Sequence, residues 1–85
     1  IDSKYAPSYR NLADTYLTKG EQEKALKTYH KAIANDPNDS YSYCQLAEIF
    51  GARNNDRKQI GYYKTAAKMG NKRAQDWLQN NGHTW

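Results

Sequence analysis

Apolar residues return at helical spacing from near the start of the chain. Tyr9, Leu12, Ala13 and Tyr16 fall at i, i+3, i+4 and i+7, which puts them on one stripe of a helix. Gly20 then supplies a helix-ending conformation, and Ala25, Leu26, Tyr29, Ala32 and Ile33 make a second stripe. Asp36-Pro37-Asn38-Asp39 stops that helix: proline disfavours helical geometry in the residue before it, and Asp39 can cap the next helix by accepting from a free backbone N–H. The plan repeats with Tyr43, Leu46, Ala47 and Phe50, then Ile60, Tyr63, Ala66 and Ala67, with Asn54 at the turn where the first half has Gly20. Gly70-Asn71 predicts a break and a cap, and Ala74, Trp77 and Leu78 give a short closing stripe that Gly82 ends.

Set against itself at an offset of 34, the chain aligns Ser8 with Ser42, Tyr9 with Tyr43, Leu12 with Leu46, Ala13 with Ala47, Tyr16 with Phe50, Leu26 with Ile60, Tyr29 with Tyr63 and Ala32 with Ala66, without a gap. A constant period with matched apolar positions is the mark of stacked supersecondary units. The expectation is an all-α, right-handed solenoid of antiparallel helix pairs, five helices in all. Residues 6–39 form a first repeat, 40–71 a second and 72–82 a polar-faced capping helix; 1–5 are a linker or the tail of a preceding repeat, and 83–85 a tail. Ala13, Ala25, Ala32, Ala47 and Ala66 let helices approach closely. Gly51 and Gly61, inside helices, each cost about 1 kcal/mol relative to Ala, which makes the second unit the looser one. Because about three repeats are needed to cover each other's apolar faces, the chain is expected to be the end of a longer array.

Composition narrows the function. The single cysteine, Cys44, excludes an internal disulfide and a thiolate zinc cage built from this chain alone. No apolar run approaches the length of a membrane span. Of the 13 Lys and Arg, six stand in residues 1–39 against six acidic residues, and seven in residues 40–85 against three, so the basic excess lies in the second half. Arg53, Arg57, Lys58, Lys64, Lys68, Lys72 and Arg73 raise a nucleic-acid or acidic-partner alternative, although scattered cations are more often a solvated surface. His30 and His83 have no Asp, Glu or Cys at ligand spacing, His30 is placed on a water-facing side, and no phosphate loop or nucleophile elbow occurs. No enzyme activity, cofactor or metal is therefore expected. Cys44 reads as a small packing residue, and Trp77, beside Leu78 and Ala74, as a plug for the closing helix; Trp85, if ordered, should fold back on that helix.

Tyr9-x2-Leu12-Ala13-x2-Tyr16, Ala25-x3-Tyr29-x2-Ala32 and Pro37 resemble the tetratricopeptide repeat. The second unit, with Tyr62 to Gly70 and Ala74 to Leu78, resembles the related Sel1-like repeat. Gln59 departs from the pattern by standing where the first unit has the small Ala25. On the helical wheel, Arg10, Asp14 and Leu17 cluster about 110° from the core stripe, as do Tyr41, Cys44, Glu48 and Gly51 on the third helix. The resemblance implies that these flanks, with Asn11 and Gln45, line a groove that holds an extended or helical peptide. Arg10 and Asp14 are also i,i+4 and open to a simple surface pair. Some relatives clamp acidic C-termini with Lys and Asn; Asp14 in such a position would repel a carboxylate, which disfavours that partner here. A non-catalytic protein-binding adaptor is the leading expectation, homo-oligomerisation a third. No membrane partner is expected, and a cytoplasmic setting is slightly favoured.

Overall fold

The computed structural model describes residues 2–85, with side chains from Tyr9 onward. Five helices follow in order: α1 (Asp2–Thr18), α2 (Gln22–Asn35), α3 (Ser40–Ala52), α4 (Asp56–Lys68) and α5 (Lys72–Asn80). Each packs on the next in the chain. Connections this short between packed neighbours force each helix to run back along the one before it. The result is a helical-repeat solenoid of 39 × 26 × 15 Å. α1 takes in residues 2–5 as well as the first-repeat helix expected from residue 6.

Local chemistry accounts for the breaks. Gly20, Gly70 and Gly82 have φ of 81°, 91° and 78°, and Asn54 turns the second pair with φ 60°. Asn tolerates this left-handed region better than other non-glycine residues, so the substitution for Gly20 preserves the turn. Asp36 is extended (φ −140°) ahead of Pro37. The side chains of Asp39, Asn55 and Asn71 accept from the backbone N–H of Ser42, Lys58 and Ala74, capping α3, α4 and α5. Each such cap contributes about 1 kcal/mol.

Two clusters form the core. Ala13, Ala25, Leu26, Tyr29, Leu46 and Ile49 make the first, joined by half-buried Tyr16 and Phe50; Cys44, Ala47, Tyr63, Ala66, Ala67, Ala74 and Leu78 make the second. α3 serves both, sending Leu46 and Ile49 one way and Cys44 and Ala47 the other. Tyr62 bridges them, stacked on Phe50 at 5.6 Å and tilted against Tyr43 at 6.1 Å. All five alanines named above for close packing, at positions 13, 25, 32, 47 and 66, are fully buried.

Leu12 departs from the expectation. It lies on the core stripe by spacing, yet it is 45% exposed while its counterpart Leu46 is 0% exposed. Leu46 is covered because α2 packs on α3; among the described residues no helix stands on the corresponding side of α1. Trp77 does act as a plug, stacked on Tyr63 at 4.5 Å. Trp85 is 46% exposed. His83 lies near-parallel to Trp77 and donates its amide to the Leu78 carbonyl at 2.8 Å.

Candidate functional site

The strongest polar constellation runs across α1, α3 and α5, the first helix of each pair and the closing helix. At its centre the Asp14 carboxylate accepts from two tyrosine hydroxyls: Tyr29 of α2 on one oxygen and Tyr41 of α3 on the other, the latter at 2.7 Å. Gln45 donates its amide to the Tyr29 hydroxyl at 3.2 Å and accepts from Arg73 of α5 at 3.3 Å. Arg73 also forms an ion pair with Glu48. At the other end, Arg10 lies 5.1 Å over the Tyr41 ring and 3.5 Å from Asp39, whose carboxylate caps α3 and also accepts from the Ser42 hydroxyl at 2.7 Å.

The belt's electrostatics follow from partial burial. Burial, followed by the bond to Asp14, pushes the Tyr41 hydroxyl up to about 12 and raises Tyr29 further. Both remain protonated donors at ordinary pH, which the Asp14 carboxylate requires. Burial likewise raises the Cys44 thiol, against an opposing pull from Arg73.

Of the residues expected to line the groove, Arg10, Asp14, Tyr41, Gln45 and Glu48 are brought together. Asn11 is exposed, and its backbone carbonyl accepts from Thr15. Leu17 is half-buried against the first core cluster. Cys44 is the small packing residue expected of it and not a groove residue, its place on that flank being a correction: it is fully buried because α5 lays Ala74 and Leu78 against it. Arg10 and Asp14 do not pair with each other, since Asp39 and Tyr41 offer Arg10 a partly desolvated seat that a surface i,i+4 contact does not.

Arg73, by sequence one of the basic cations of the second half, completes the belt. A signal for it existed. The caps Asp39 and Asn71 stand 32 residues apart, not 34, and at that offset Arg73 aligns with Tyr41. The two helix starts are joined, the Asn71 amide donating to the hydroxyl of Ser40, the residue after the Asp39 cap, at 3.0 Å. Arg53, also in the basic group, is committed to Glu23 at 2.7 Å and to Gln22 at 3.1 Å. His30 is exposed, as expected, with its ring edge-on to Tyr62 at 6.5 Å.

Consecutively stacked helix pairs with one polar face shared by alternate helices define a helical-repeat scaffold. Residues 13–53 match the family model described as TPR repeat. TPR repeats mediate protein–protein interaction. Over 70 residues the chain is 27% identical to the photosystem I assembly protein Ycf3 of Synechococcus sp. (strain CC9605), and 29% identical to the protein of that name from strain WH7803. Each comparison covers 82% of this chain and 40% of the relative, so the chain spans about 40% of the length of the curated relatives it matches. No helix among the described residues is long and apolar enough to cross a membrane.

Proposed function

We propose that this chain is a non-catalytic adaptor that holds a peptide or protein segment along the face shared by α1, α3 and α5, through Arg10, Asp14, Tyr41, Gln45, Glu48 and Arg73, with Asn11 and Leu17 at its edge. The observation that carries the reading is the continuity of the belt. Five side chains from α1, α3 and α5, together with Tyr29 of α2, are held by one another in a single bonded row. Side chains already locked in place lose little further freedom on binding, so a polar surface of this kind can recognise a partner at lower entropic cost than a set of free lysines and glutamates. The exposed guanidinium edges of Arg10 and Arg73, 39% and 49% accessible as side chains, remain available for a partner.

The name of the Ycf3 relatives supports an assembly role of the same general kind, in which a scaffold holds another polypeptide. The nucleic-acid alternative is weakened by the commitment of Arg53 to Glu23 and of Arg73 to Glu48.

The test is selection of binding peptides from a displayed random-sequence library, followed by titration of the best binder against the Arg10→Glu/Glu48→Lys variant. Both side chains are at the surface, so helicity should be retained by circular dichroism. Affinity should fall by about tenfold or more. Selected peptides that bind the variant as tightly as the parent chain would place the interaction elsewhere.

A further inference from the structure

The polar face of α3 does not stop at Glu48. One turn further on lies Gly51, and in place of a side chain there the amide of Gln59 from α4 crosses it. Beside Gln59 a recess of about 220 Å³ opens between α4 and α5, lined by Asp56, Gln59, Ile60, Trp77, Asn81 and His83. It is too small for a drug-sized ligand, whose sites run to about 300–1,000 Å³, and of the size for one long side chain.

Its chemistry selects which side chain. Ile60 and Trp77 offer an apolar wall suited to a methylene stem, and Trp77 is held in place by stacking on Tyr63 at 4.5 Å. At the rim stand a carboxylate, two side-chain amides and the His83 imidazole, whose ring lies flat against Trp77, and no Lys or Arg lines the recess. Among the described residues Asp56 makes no ion pair and the Gln59 side-chain amide makes no hydrogen bond, whereas the acidic residues of the belt, Asp14, Asp39 and Glu48, are all engaged. The rim is thus an anion and open acceptors around an apolar shaft, which complements an aliphatic stem ending in a cation.

We propose that this recess is a subsite for a lysine or arginine side chain of the segment held along the belt. The assignment rests on the peptide-binding reading above and adds a residue preference to it: a basic side chain placed beyond Glu48, its stem on Ile60 and Trp77, its head on Asp56 and the Gln59 carbonyl.

The probe is a single blocked residue, which reports on the recess without needing the rest of the face. The whole chain, labelled with 15N, is titrated with N-acetyl-lysine methylamide and N-acetyl-arginine methylamide, and with the norleucine and glutamate derivatives as controls. The expected result is saturable shifts of the Trp77 indole and Gln59 amide signals with the two basic probes, absent with the controls. Asp56→Asn, at an exposed position where packing is untouched, should weaken that binding by about tenfold, as for loss of one charge-assisted hydrogen bond. No saturable shift, equal response to norleucine, or full binding by Asp56→Asn would each overturn the assignment. Because Arg10→Glu/Glu48→Lys leaves the recess intact, a failure of the belt and a failure of the subsite give different patterns.

Discussion

Gln59 lays its side-chain amide over the bare backbone of Gly51, where an added Cβ would overlap it. The two residues stand 34 positions after Ala25 and Leu17, so the second unit has exchanged a large–small pair for a small–large one at the same place. Read singly, Gln59 looks like a flaw in close packing and Gly51 like a weak point in a helix. Together they fill one space.

This pairing predicts non-additive stability. Ala at position 51 gains about 1 kcal/mol of helix propensity. With Gln59 present, much of that gain goes into displacing its amide; in a Gln59→Ala background it should appear in full. Thermal or urea melts of the two single variants and the double variant give the coupling, expected at about 0.5–1 kcal/mol. An equal gain from Gly51→Ala in both backgrounds would show that the two side chains do not share the space.

The unequal burial of Leu12 and Leu46 predicts unequal losses. Leu46→Ala empties a fully buried site between α2 and α3 and should cost about 2–5 kcal/mol. Leu12→Ala, at 45% exposure, should stay within about 1 kcal/mol. In a domain of this size 1 kcal/mol is about 4–8 °C in Tm, so the difference is readily seen. Matching losses at the two positions would mean that Leu12 is covered.

Alkaline pH should loosen the fold through the tyrosines on Asp14. Tyr41 is raised from 10.0 to about 12, and Tyr29 is raised further. Below about pH 10 both states keep the phenolic protons and the stabilisation is fully present. Between about pH 10 and 12 the unfolded chain gives up its protons first, so it binds fewer than the native state and stability falls as pH rises. Urea midpoints should decline over this range, and less steeply in Tyr41→Phe. At neutral pH the same variant should lose about 0.5–1.5 kcal/mol for the missing hydrogen bond. An unchanged alkaline slope in Tyr41→Phe would argue against the bond to Asp14.

Much of this architecture was legible beforehand because it depends on near neighbours. Asn54 takes positive φ, Asp39 and Asn71 cap, and Asp36 is extended before Pro37, each through a few adjacent residues. The period of 34 did the same for the stacking order, since identical spacing demands identical pairing. The belt was legible only in part. Helical spacing put Arg10, Asp14, Tyr41 and Glu48 on corresponding flanks, but their partners come from other helices.

The chain's own order of residues therefore determined where helices start and stop, which stripe of each is apolar, and that the units are copies. Tertiary structure alone decided that two leucines in the same register have opposite environments, that α5 is the helix covering Cys44, and which side chains of other helices Arg73 meets in the face begun by Arg10. The physical reason is one of range. Turns and caps are settled by hydrogen bonds spanning three or four residues, whereas burial and ion pairing depend on which surface a later helix covers, as in the contact between Gln45 and Arg73, 28 residues apart.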